Sequence, residues 1–228
     1  MARRETLNRE KVLDAALALT DAEGLAGLSM RRLAKVLGVE AMSLYNHVAS
    51  KSDLLDGIAD RVFGQIEPAD PRLPWPEQIR TLALGMYRVF RSHPAVPMAL
   101  VTDQSNPSTE RSLKPLDDLV GALFSAGFDE QGAWRALSAV NSLVYGSLLL
   151  STGGFTGDPA RHAGEPSASA YVRRLDPERL PHFSRLMHGT REGVDPQADF
   201  EYALDLLIKG LVAAAPSNQR LSPSRRQG

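Results

Sequence analysis

Residues 29 to 51 run Ser-Met-Arg-Arg-Leu-Ala-Lys-Val-Leu-Gly-Val-Glu-Ala-Met-Ser-Leu-Tyr-Asn-His-Val-Ala-Ser-Lys, a stretch that reads as two short helices hinged at one glycine. Ser29 has the hydroxyl of a good N-cap. Leu33, Ala34 and Leu37 recur at helical spacing, which gives the first helix an apolar face and a basic start at Arg31 and Arg32. Gly38 ends that helix, because a residue without Cβ enters the left-handed conformation at little cost. Val39 then anchors the turn, while Leu44 and Val48 hold the second helix against the first. This is the pattern of a helix-turn-helix. Its other face keeps Ala41, Met42, Ser43, Tyr45, Asn46 and His47, small, aromatic and hydrogen-bonding groups that suit base edges, thymine methyls and phosphates in a DNA major groove. The plainer alternative makes Tyr45 and His47 ordinary solvated residues. The apolar residues around them, however, already account for packing and leave this face free.

Working outward, a helix ending at Ala-Glu-Gly-Leu (22–25) leads into Leu-Ser-Met-Arg-Arg-Leu-Ala (28–34), Leu-Gly-Val (37–39), Leu-Tyr-Asn-His-Val (44–48) and Lys-Ser-Asp-Leu-Leu (51–55). In that order and spacing, Lys11 to Leu55 resembles the DNA-binding domain of tetracycline-repressor (TetR) family regulators. The resemblance implies an all-α protein, with an N-terminal three-helix helix-turn-helix domain followed by a helical ligand-binding and dimerisation domain. It also implies a homodimer in which helices around Trp134 to Leu150 and Asp199 to Ala213 pair with their mates as a four-helix bundle. Two such heads would read a palindromic operator, and a small molecule would relieve repression.

Composition is compatible with that picture. The chain has 228 residues, 43% of them hydrophobic, enough for one or two domains with a real core. It has no run of eighteen apolar residues, and its N-terminus lacks the apolar stretch of a signal peptide, so a cytoplasmic location is expected. The cysteine count of 0 excludes disulfides and thiolate metal or redox chemistry. A net charge of −1 argues against a protein that coats nucleic acid by charge alone. The first 52 residues nevertheless hold eight Lys or Arg against six acids, a net +2, leaving −3 for the remainder. Arg31 and Lys51 are the phosphate candidates.

Beyond Lys51, Ser52 and Asp53 are expected to open a helix carrying Leu54, Leu55, Ile58, Val62 and Ile66, which connects the reader to the rest. Pro68, Pro71, Pro74 and Pro76 then stop any helix and mark a boundary. The domains are accordingly read as 1–67, the DNA-binding unit with its connecting helix; 68–215, the ligand-binding and dimerisation unit; and 216–228, a polar, disordered tail. Four helical patterns fill the second unit: Ile79, Leu82, Met86 and Phe90; Leu113, Leu116, Val120 and Leu123; Trp134, Leu137, Asn141, Val144 and Leu148; and Phe200, Leu204, Leu207 and Leu211. A weaker helix is read over Pro177 to His188, and residues 153 to 169, rich in Gly, Ser and Pro, read as a mobile loop.

Similarity to the tetracycline repressor continues through Leu-Leu-Asp-Gly-Ile-Ala (54–59), Trp75, Arg-Ser-His (91–93), Ala-Gly-Phe (126–128) and Ala-Leu-Ser-Ala-Val (136–140). The match breaks at the drug site. The positions that hold magnesium-chelated tetracycline in that repressor fall here at about Glu67, Leu82, Leu100 and Leu150, and leucines neither coordinate a metal nor bond a polar drug. No cofactor and no metal are therefore expected, and tetracycline is not the expected ligand. The candidate lining is Leu82, Met86, Phe90, Met98, Leu100, Leu116, Leu119, Leu123, Leu137 and Leu150, with Asn141 and Tyr145 as polar handles, which suits a hydrophobic or aromatic small molecule. Leucines and methionines at helical spacing are more often plain core. Asn141 inside an apolar stripe needs a partner: a ligand, a backbone carbonyl or its twin across a dimer.

An enzyme is not indicated. The chain lacks His-Glu-x-x-His, Gly-x-Ser-x-Gly and a phosphate-cradling glycine loop, and its five histidines are scattered, with His93 read as a helix-end cap. The alternative function keeps the DNA-binding fold and uses the second domain only for dimerisation or protein docking.

Overall fold

The computed structural model describes residues 6–102, 108–152, 176–188 and 195–216, and every regular element among them is a helix. The loop expected over 153–169 and the tail beyond Pro216 lie outside the described residues.

The N-terminal unit is built from α1 (Arg9–Gly27), α2 (Met30–Leu37), α3 (Ala41–Leu44) and α4 (Lys51–Phe63). The Asn8 side chain caps α1 by accepting the Lys11 N–H at 2.9 Å. Gly24 breaks α1 near its end with φ 71°, a value that favours glycine. Val12, Leu13, Ala16, Leu28, Leu33, Leu44, Val48 and Leu54 close a small core among the four helices. One expectation needs correction here. Ser50, not Ser52 or Asp53, caps α4: its Oγ accepts the Asp53 N–H at 3.1 Å, and Asp53 reaches back to the Ala49 N–H at 2.7 Å. Ile66 lies past the end of α4, yet is buried.

The second unit follows the proline segment with α5 (Trp75–Ser92), α6 (Ala95–Val101), α7 (Glu110–Ser125), α8 (Glu130–Thr152), α9 (Pro181–His188) and α10 (Pro196–Ala214). Its interior joins α5 to α7, α8 and α10. Tyr87 stacks on Phe200 at 4.1 Å and donates its hydroxyl to the Pro196 carbonyl at 3.1 Å, fixing α10 on α5. Arg80 pairs with Asp205 across the same two helices. α4 packs on α5, α6 and α7, and α1 touches α6, so the two units share one continuous buried core. Among the described residues no helix is long and apolar enough to cross a membrane.

Several helix faces depart from the sequence reading. On α7 the buried set is Ser112, Pro115, Leu119, Ala122 and Leu123, whereas Leu113 is exposed and Leu116 and Val120 only half-buried. The helix is rotated because a hydrogen-bonded serine and a proline face inward, which a leucine count does not register. On α8 the core positions are Ala133, Ala136, Val140, Val144 and Leu148, and Trp134 points out. Ala133 and Ala136 line the start of that seam, and Val140, Val144 and Leu148 continue it. α6 carries Pro94 and Pro97 around its start and was not expected as a helix; a proline in the first turn removes an N–H that has no intrahelical partner anyway. α9 begins at Pro181, after a turn over the four preceding residues, rather than at Pro177.

Candidate nucleic-acid interface and effector core

The reading face is set up by caps. Ser29 Oγ accepts the Arg32 N–H at 3.2 Å and starts α2. Gly38 closes α2 at φ 66° and ψ 33°, with Val39 N–H bonded to the Ala34 carbonyl at 3.0 Å and Gly38 N–H to Lys35 at 3.3 Å, the two bonds of a Schellman ending. α3 is one turn long, and Tyr45, Asn46 and His47 continue it as a tight turn, with His47 N–H and Val48 N–H both bonded to the Leu44 carbonyl. Leu44 and Val48 are fully buried, Ala41, Ser43 and His47 half-buried, and Asn46 exposed. Met42 is 73% exposed and Tyr45 46%. Burial of the two anchors therefore turns the larger apolar and aromatic groups outward.

Arg31 and Lys51 are exposed in the first turns of α2 and α4, where the helix dipole opposes a cation. Neither makes an ion pair among the described residues, whereas Arg32 is taken by Glu23 of α1.

A clamp missed by the sequence reading holds this surface in place. Arg9 donates to both Asp53 oxygens, at 2.7 and 3.0 Å, and to the His47 carbonyl at 2.9 Å. The Arg9 bond, then the Ala49 N–H, hold the Asp53 carboxyl below its usual range against burial, and Arg9 is correspondingly raised. No sequence signal pairs two groups 44 residues apart. Arg61 adds a second tie from α4 to Glu10 and Asp14 of α1.

In the second unit Leu82, Met86 and Phe90 of α5 and Leu119 and Leu123 of α7 are fully buried. Leu100 on α6, Leu116 on α7, and Leu137, Asn141 and Tyr145 on α8 are half-buried, while Met98 and Leu150 are exposed. Phe90 stacks on Tyr145 at 5.8 Å. Among the described residues Asn141 Oδ1 is buried without a hydrogen-bond partner, and burial pushes the Tyr145 hydroxyl up to about 12. Two polar handles one helical turn apart thus sit in apolar surroundings. Glu67 is exposed, and among the described residues no group of three His, Cys, Asp or Glu is placed to hold a metal. His93 does more than end α5: Nδ1 meets Asp21 of α1 at 2.8 Å and Nε2 meets Gln65 at 3.4 Å.

A glycine-closed helix, a short reading segment clamped to its neighbours and a second helical unit packed on the first define a helix-turn-helix DNA-binding regulator. Residues 12–58 match the model for bacterial regulatory proteins of the tetR family, and residues 67–215 match the tetracyclin repressor-like C-terminal domain. An HTH-type transcriptional regulator of Saccharopolyspora erythraea is 31% identical over 212 residues, covering 92% of this chain and 86% of that protein. The class D tetracycline repressor protein of Escherichia coli is 29% identical over 213 residues, covering 90% and 88% respectively. The solved structure of Streptomyces coelicolor ActR in complex with actinorhodin superposes with a TM-score of 0.76 at 26% identity, covering 94% of this chain and 99% of that one. The chain belongs to the TetR family of DNA-binding transcriptional regulators.

Proposed function

We propose that the protein is a homodimeric repressor that binds a palindromic operator and is released by a hydrophobic or aromatic small molecule. The observation that carries this reading is the reading face itself: Met42, Tyr45 and Asn46 exposed over buried Leu44 and Val48, with Arg31 and Lys51 at its borders, unpaired among the described residues. Residues 1–67 act as reader and connecting helix, and 68–215 as effector and dimer unit. Dimerisation is supported by α8 and α10, which pack together and leave Trp134, Tyr202 and Leu206 largely exposed, with open space beside Gly146 and Gly210. Two-fold symmetry would set the reading heads about 34 Å apart, in successive major grooves.

The effector is proposed to enter among α5, α6, α7 and α8, where Leu100, Leu116, Leu137 and Tyr145 are half-buried and Asn141 Oδ1 still needs a donor. That orphaned atom favours a ligand site over a domain used only for dimerisation or docking, and the actinorhodin complex of ActR supports it. The ligand would favour a core shape in which α4 holds the heads at the wrong spacing. Converting a mostly bound to a mostly free population requires about 10⁴-fold discrimination, about 5.5 kcal/mol. Such a regulator works in the cytoplasm.

Selection of binding sites from random duplex DNA tests the reading. The expected product is an inverted repeat with half-sites one helical turn apart and salt-dependent affinity. Absence of enrichment at low salt overturns it. Apolar and aromatic compounds that bind the folded state should raise the thermal midpoint.

A further inference from the structure

The two ends of α4 are tied to different parts of the molecule. In its last turns, the Asp60 carboxylate accepts the N–H of Ser108 at 2.9 Å, the N–H of Thr109 at 3.2 Å and the hydroxyl of Ser112 at 2.6 Å. Arg111 reaches the Gly64 carbonyl at 3.4 Å. α7 therefore begins on α4, with an anion from another helix at its positive end. Thr109 and Ser112 already cap α7 through their own reciprocal bonds, so the helix does not need Asp60 in order to start. The carboxylate supplies something else, a restraint between α4 and the start of α7 through residues 48 apart in the chain. Burial pushes Asp60 up, but the bonds from Ser112, Ser108 and Thr109 outweigh it and keep the carboxyl below its usual range.

At the other end of α4, Asp53 holds Arg9 and the Ala49 N–H, and Arg9 holds the His47 carbonyl. Asp53 and Asp60 stand on one helix with no proline between them, about 10.5 Å apart along its axis. The bonded groups thus run from the start of α7, along α4, to the back of the reading face.

We propose that Asp60 is a positioning residue for DNA reading: it fastens α4 to the start of α7, so that displacement of α7 is delivered through Asp53 and Arg9 to residues 47–49. The direction of signalling rests on α7 being an effector wall, as proposed above; the mechanical link does not. His47 and Ala49 offer backbone groups to this chain of bonds, which places its end at the segment that orients Tyr45 and Asn46.

Amide hydrogen exchange on the full-length protein tests the link. Asp60→Ala should speed exchange at Val48 and Ala49 roughly fivefold, the size of one hydrogen bond's contribution, as well as at 108–113. Asp60→Asn, which keeps an acceptor oxygen, should lie nearer wild type, and Ser112→Ala should shift the same amides less. A change confined to 108–113 overturns the proposal, because a merely local role would stop there. If Asp60→Ala does not fold, Ser112→Ala carries the same comparison with the carboxylate retained. With the duplex recovered by selection, DNA binding should slow exchange at 108–113 in wild type and not in Asp60→Ala, since coupling is reciprocal. Equal slowing in both also overturns it. Failed selection with the exchange link intact sinks the DNA-binding reading alone; a lost link with DNA binding intact sinks the clamp alone.

Discussion

Tyr45 is an aromatic residue left half in solvent beside two fully buried neighbours, Leu44 and Val48. Its packing contribution is therefore small, and its removal should be felt in binding rather than in folding. Tyr45→Ala and His47→Ala should each weaken operator affinity by about 1 to 3 kcal/mol while leaving the unfolding midpoint nearly unchanged; titration of the selected duplex by anisotropy checks this, and unchanged affinity in both would end the assignment. Asp53 makes the opposite case, a residue whose work is structural. Its folded-state pKa lies below the ordinary 3.8, so its stabilisation is complete above that value and is lost as pH falls through the lowered one. Asp53→Asn should cost about 1 to 2 kcal/mol at neutral pH, and the gap from wild type should close in acid, as read from denaturant unfolding at a series of pH values. Tyr45 could be singled out from the chain because its neighbours are apolar at helical spacing. Arg9, Asp53 and Asp60 could not, because each takes its meaning from a partner more than forty residues away.

The turn between α2 and α3 depends on one backbone conformation. A methyl group on Gly38 would meet nothing within 4 Å, so substitution there meets no steric clash and costs only the strain of φ 66°. Gly38→Ala should lower stability by about 1 kcal/mol and weaken DNA binding through the misdirected α3, both measurable on the same preparation. This turn was legible because Ser29, Gly38 and the apolar spacing all depend on local geometry. The faces of α7 and α8 were less so. Both helices were placed correctly, but Ser112 faces inward because Asp60 satisfies its hydroxyl, and Trp134 faces outward because Ala133 and Ala136 take the seam. Periodicity locates a helix; which side is buried depends on what the neighbouring helices bring to it. α6 was not legible because Pro94 and Pro97 read as a breaker unless they are known to fall at an N-cap and in a first turn.

Across the whole molecule, Trp134 of α8 is 70% exposed, and Tyr202 and Leu206 of α10 are 69% and 52% exposed. Large apolar side chains left exposed on two helices that pack together suit a subunit interface. Leu206→Asp should convert a dimer to a folded monomer in sedimentation velocity, with helical content retained and affinity for the inverted repeat lost, because one head reads only a half-site. A dimer that survives this change would move the interface elsewhere. Leu100→His should alter which apolar compounds raise the thermal midpoint while sparing DNA affinity measured without them. Loss of DNA binding in that variant would instead mark Leu100 as part of the core that joins the two units.

The all-helical class, the helix-turn-helix and the family could be read from the chain alone, since these rest on caps, periodicity and short-range order. Only the tertiary structure decided which faces of α7 and α8 are buried, that His93 bridges Asp21 and Gln65, and that Asp53 and Asp60 tie the reader, the connecting helix and the core together. The physical reason is range. A cap or a helical stripe is satisfied within a few residues and leaves its mark in the local spelling, whereas an ion pair or a hydrogen bond between distant helices exists only once packing has brought both groups to the same place.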